Sequence, residues 1–161
     1  MRPDSIISSL AGTYLILNTT ILNNGTPATD NFVWGTSLHG MISYSASGYV
    51  SALLTTNDAR FLPRNLTFPY QEGQPDSEWA LVGKHTLAYA GPFSIDPSRP
   101  ATIDSGTLVH GPLMVCDVPS YVGISLHRDY TMVRRREGVW LRLVTVNTAT
   151  TYSEIWFQRL D

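Results

Sequence analysis

"HGMISYSASGYVSALLT", residues 39–55, reads as two short strands folded back on one another. The runs 39–45 and 49–55 are rich in residues that suit a pleated, half-buried surface. Ala46-Ser47-Gly48 separates them, a short linker carrying glycine where a positive φ is often required. An antiparallel hairpin is the consequence, and the same signals continue in both directions from it.

Upstream, "GTYLILNTTIL" (12–22) is β-branched and aromatic and stops at the turn signal "NNGTP". Downstream, residues 57–75 hold three of the ten prolines and no sustained period, so a long excursion is expected there. "DSEWALVGKHTLAYA" (76–90) follows, with Asp76 or Ser77 able to cap it and apolar residues near helical spacing, which predicts one helix. "GPFSI", "GTLVHGPLMVC", "GISLHRDYTMV", "VWLRLVTVN" and "TYSEIWFQRL" then read as strands separated by turn-rich segments. Arg134-Arg135-Arg136 precedes Glu137-Gly138 and reads as a solvated hairpin tip. Many short strands with regular turns predict an all-β antiparallel sandwich or closed barrel. No linker, repeat or low-complexity tract divides the chain, so residues 1–161 are read as a single domain.

Composition excludes several functions. Of 161 residues, 43% are hydrophobic and 15% charged, with a net charge of −2, which is unsuited to a nucleic-acid partner. A lone cysteine, Cys116, cannot form an internal disulfide framework. The N-terminal stretch lacks the apolar core of an export signal, and no apolar run approaches the roughly 20 residues of a membrane span. A cytoplasmic protein with no membrane partner is expected, and the triplets at Asn18 and Asn65 are read as chance glycosylation patterns. Phosphate-binding and dinucleotide-binding glycine motifs and the serine nucleophile elbow are missing. His39, His85, His110 and His127 never share one strand or helix face, so no metal site and no cofactor are expected.

"LAGTYLI" (10–16) near the start and Arg159 in the last strand, joined in order by "GMISYSASGYVSALL", "LAYAGPFSI", "GTLVHGPLMV", "LHRDY", "LRL" and "IWFQRL", resemble the small lipocalin-like domains of the calycin group. Such domains occur in bacteria and beside fungal biosynthetic enzymes. The resemblance spans Leu10 to Leu160 and implies a lipocalin-like barrel of about eight to ten strands with one helix plugging or flanking it. It implies that Arg159 lies over the first-strand aromatic, Tyr14, and that Ala90 and Gly91 permit a close backbone approach. It further implies a cavity for a small hydrophobic or conjugated molecule, in a chain that is compatible with a homo-oligomer.

Two functions fit such a cavity. One is a cofactor-independent cyclase or isomerase, of the Diels–Alder or hetero-Diels–Alder pericyclase type, acting on a conjugated polyketide or terpenoid; the other is a non-catalytic carrier. Strand alternation places Tyr14, Ile16 and Asn18 on one face, and Leu108, His110, Pro112 and Met114 on another. In the last strand the face of Glu154, Trp156 and Gln158 competes with that of Ile155, Phe157 and Arg159, and alternation alone leaves both open. Tyr44 and His110, polar-tipped on apolar faces, are the expected catalytic hydrogen-bond donors. Asn18, Tyr89, Met114 and Trp156 are the expected ligand-binding residues, with Gln158 and Arg128 as further donors. A purely structural interaction module is the least favoured class, because a barrel buries its apolar face internally.

Overall fold

The computed structural model describes residues 3–28 and 31–161. Eight strands close on themselves in the order β1 (Gly12–Asn23), β3 (Leu38–Tyr44), β4 (Tyr49–Thr56), β5 (Thr86–Ile95), β6 (Ser105–His110), β8 (Leu126–Arg135), β9 (Gly138–Val146) and β10 (Thr151–Arg159), which pairs back onto β1. Two dipeptide strands attach to this ring: β2 (Thr26–Pro27) to β1 and β7 (Val115–Cys116) to β5. The architecture is the all-β antiparallel barrel expected. No helix among the described residues is long and apolar enough to cross a membrane.

The hairpin 39–55 forms as read, with Leu38 opposite Thr56 and Tyr44 opposite Val50. Its inward residues Ile42, Tyr44, Val50, Ala52 and Leu54 are buried, and the intervening residues are partly or fully exposed. Gly40 is fixed by proximity: a Cβ there would lie 2.1 Å from the Leu53 carbonyl oxygen. The run 57–75 contains one 3-10 turn, Ala59–Phe61, and no strand. Arg136 and Glu137 turn the chain between β8 and β9 as read, although Arg134 reaches back to Asp104 and Ser9.

The helices differ from expectation. The run 76–90 splits: α2 covers Asp76–Lys84, and Thr86–Ile95 is one continuous strand pairing β4 from Thr55–Thr86 to Tyr49–Pro92. None of the residues of α2 is buried, so it flanks the barrel. The plug is instead α1 (Pro3–Leu10), whose Ile6 and Leu10 are buried against the barrel floor. With only eight residues it carries too short a pattern for periodicity to register.

Pro92 stands inside β5 rather than at its start. Its carbonyl accepts from Gly111 N at 2.7 Å, so its missing N–H faces the point where the β6 ladder ends after His110. From Gly111 to Leu113 the chain bulges away before resuming with Met114 N to Ala90 O, 2.9 Å. Three residues thereby oppose Gly91, whose Cβ position would lie 3.0–3.2 Å from the backbone of Pro112, Leu113 and Met114. The close approach expected at Gly91 is the passage of this bulge.

At the floor, Tyr14 pairs with Arg159, whose guanidinium lies 5.9 Å from the ring centroid. Tyr14 Oη donates to Leu10 O at 2.8 Å, tying the ring to the end of α1. A Cβ on Gly12 would meet Arg159 Nε at 2.6 Å, which accounts for the glycine of the Gly-x-Tyr opening. Cation–ring contacts of this kind contribute about 0.5–2 kcal/mol. Arg159→Ala should therefore lower the melting temperature by a few degrees and leave ligand affinity unchanged. An unaltered melting temperature would show that this contact does not close the floor.

Candidate functional site

The open half of the barrel holds a cavity of about 1240 Å³. Its inner wall is apolar over most of its area, with Ile42, Leu54, Leu87, Leu143, Ile155 and Phe157 contributed by five strands. Tyr89 and Arg128 supply the polar groups on the inner wall of β5 and β8.

One side of the mouth is covered by residues 31–37. Asn31 Oδ1 accepts from the backbone N–H of Val33 and Trp34, at 2.9 and 3.0 Å. Thr56 Oγ1 donates to Trp34 O at 2.8 Å, and His85 Nδ1 contacts Val33 O. Asp58 accepts from Thr36 N and from Arg60, and these bonds hold its carboxyl well below the usual carboxylate range. Gly35 has a φ of 63° and packs against that carboxylate, so this segment is locked rather than loose. Sequence reading did not identify Asn31–Trp34 or Asp58 as parts of the mouth. The available signal was "DAR" at 58–60, where an aspartate precedes a short turn it can cap.

The cavity also opens sideways. Pairing between β8 and β9 stops at Asp129–Val144, so Leu126–Arg128 pair only with β6, and Thr145–Val146 only with β10. The lining passes through this gap from Arg128 and Leu143 inside to His127, Asp96 and Arg99 outside.

Three of the expected site residues meet. Tyr44 Oη lies 3.0 Å from His110 Nε2, and Tyr89 Oη lies 3.0 Å from His110 Nδ1. All three are buried, with His110 wholly inaccessible. Only Tyr89 reaches the cavity wall; Tyr44 and His110 stand behind it, against Phe93 and Tyr14. Burial, with the nearby Arg128 charge in second place, lowers the His110 pKa to about 3, so the imidazole is neutral at pH 7. Burial also raises the Tyr44 and Tyr89 hydroxyls, which stay protonated.

Donor counting assigns the tautomer. The only hydrogen-bond partner of Tyr44 Oη among the described residues is His110 Nε2. If Nε2 carried the proton, the Tyr44 O–H would be buried without an acceptor, at a cost of about 1–3 kcal/mol. Tyr44 therefore donates to Nε2, the proton resides on Nδ1, and Nδ1–H donates to Tyr89 Oη. The Tyr89 O–H is left free to donate into the cavity.

The other expected ligand-binding residues lie elsewhere. Leu17 is an extra residue in β1, inserted between the pairs Ile16–Phe157 and Asn18–Trp156. This bulge turns Asn18 to the exposed outer face and brings Thr19 and Ile21 inward. Trp156, opposite Asn18, also faces outward, and its Nε1 donates to Glu154 Oε1 at 2.8 Å, beside Arg142. The Gly111–Leu113 bulge does the same to Met114, which is 65% exposed, and Leu113 takes the inward position. Gln158 shares the outer face of Trp156, and Arg128 points inward.

Comparison with curated proteins and with solved structures gives no match. The family model described as a lipocalin-like domain matches residues 11–159. That span includes every barrel strand and both ends of the Tyr14–Arg159 closure. On this match and this barrel, the chain belongs to the lipocalin-like domain family.

Proposed function

We propose that the protein is a cofactor-independent cyclase or isomerase that folds a conjugated polyketide- or terpenoid-like substrate inside the barrel and polarises its carbonyl. The observation that carries this reading is Tyr89, which lines the apolar cavity beside Arg128 with its hydroxyl 3.0 Å from the Nδ1 of a neutral histidine, so that donor counting leaves its O–H for a ligand. A donor held in this way lowers the energy of an electron-poor π-system without a change of protonation state. Apolar walls confine the chain to folded conformers, and orientation alone is worth up to about 7–11 kcal/mol in the best intramolecular cases. Tyr44 and His110 act in this scheme as positioning residues, through Tyr89.

The same cavity without chemistry is a carrier, which is the second reading and rests on the cavity alone. A conjugated trienone with a tethered alkene, whose uncatalysed cyclisation is measurable, separates the two. The enzyme reading predicts many equivalents of one stereoisomer per protein molecule. Stoichiometric binding that leaves the cyclisation unaccelerated would establish the carrier and end the enzyme reading.

A further inference from the structure

Among the described residues, Arg128 has no carboxylate partner. It projects from β8 into the barrel, where its charge faces Tyr44, Tyr89 and His110; burial raises the two hydroxyls and lowers the imidazole, so none of the three carries a negative charge to meet it at neutral pH. Its Nη1 donates to the His127 carbonyl at 2.9 Å, and its guanidinium lies near the Tyr89 hydroxyl. The carboxylates lining the cavity are engaged by other groups. Asp129 accepts from Thr107 Oγ1 at 2.6 Å and pairs with Arg99 at 3.2 Å. Asp96 accepts from Ser98 at 2.7 and 2.9 Å and faces His127 at 3.8 Å. Among the described residues, the two arginines that line the cavity therefore differ: Arg99 is neutralised and Arg128 is not.

A part-buried guanidinium carries five N–H donors and loses hydration that other arginines recover from a carboxylate. Arg142 recovers it from Glu154, and Arg134 from Asp104. At Arg128 the remaining donors face a space of ligand size, beside a phenol O–H that also lacks an acceptor.

We infer that the cavity takes an anion: a ligand with an apolar, ring-sized body and a conjugated oxyanion, such as a carboxylate or ionised enol, that rests on Arg128 and accepts from Tyr89. This rests on the cavity being the ligand site and adds the charge of the ligand. The gap between β8 and β9 leads from outside to Arg128, so the charged end need not cross the apolar part of the lumen.

Two fluorescent probes with one aromatic body test it: 8-anilino-1-naphthalenesulfonate, an anion, and N-phenyl-1-naphthylamine, which lacks the sulfonate. The protein should bind the anion at least about tenfold tighter, as a charge-assisted bond to guanidinium requires. Arg128→Gln should abolish that preference while keeping affinity for the neutral probe, which reports an intact cavity, and Arg128→Lys should restore part of it. Equal affinities in the unaltered protein, or a preference that survives Arg128→Gln, would overturn the inference and leave the cavity reading standing. Binding of neither probe would overturn both.

Discussion

Tyr89→Phe is expected to slow the cyclisation of a carbonyl-bearing substrate by about 10²–10³-fold while its binding changes only a few-fold. The substitution keeps the ring opposite Ala52 and removes the hydroxyl, both as the donor that donor counting directs into the cavity and as the acceptor of His110 Nδ1–H. Two companion variants give the prediction its force. Tyr44→Phe touches no ligand, but it frees His110 Nε2 from its donor. Without that bond nothing anchors the imidazole in the orientation that presents Nδ1–H to Tyr89, so the hydroxyl is held less firmly toward the substrate. A loss of roughly tenfold in kcat with unchanged KM is expected, as a fraction of the single-donor effect. His110→Gln should keep most of the rate, because an amide oxygen can accept from Tyr44 while its NH2 donates to Tyr89. If Tyr89→Phe retains full rate with a demonstrated substrate, the donor is not Tyr89 and the catalytic reading of this cluster fails.

Acid should destabilise the protein through the same histidine. In the unfolded chain His110 titrates near 6.5, whereas the folded chain refuses the proton until about pH 3. Between those values the unfolded state binds more protons, so stability is full above about pH 6.5 and falls as pH drops, by about 1.4 kcal/mol per unit. A typical domain has about 5–15 kcal/mol in total, so this is a large part of it. Carboxylates with lowered pKa, Asp58, Asp96, Glu154 and Asp161, add to the loss only at lower pH, near their own unfolded values. Thermal melts between pH 7 and 5 should therefore fall steeply in the unaltered protein and stay nearly level in His110→Gln. Equal slopes in both would show that the buried imidazole is not the group responsible. Activity, in contrast, should be flat over neutral pH, because none of the three residues changes its charge there.

Much of the barrel was legible because its information is local. The hairpin 39–55 needs only alternation and a glycine, and Gly12-x-Tyr14 with Arg159 needs only the two ends of one closure. The convergence of Tyr44, Tyr89 and His110 followed from inward faces on uninterrupted stretches of β3, β5 and β6. Where alternation was carried across a bulge, it gave the wrong face. Leu17 inverted the reading of Asn18, and Gly111–Leu113 inverted that of Met114. Inserted residues leave no mark in composition: one extra residue moves every later side chain of β1 to the other side, whereas the irregular passage after His110 displaces Met114 and returns Cys116 opposite Tyr89. Trp156 misled for another reason: Arg142 and Glu154 cover it outside the barrel, so an apolar residue sits comfortably on a polar face. The floor helix was overlooked because eight residues with three large aliphatics resemble a strand lead-in. Arg128 gains its importance only from the structure, where among the described residues no carboxylate pairs with it.

The proton on His110 is the point on which donor direction, acid sensitivity and the role of Tyr89 all depend. Long-range proton–nitrogen correlation spectra of ¹⁵N-histidine-labelled protein at pH 7 observe it directly, with His110→Gln providing the assignment. The geometry predicts a neutral ring, protonated at Nδ1 and bare at Nε2, unchanged on acidification to pH 5. A ring protonated at Nε2, or an imidazolium already formed at pH 5, would contradict it.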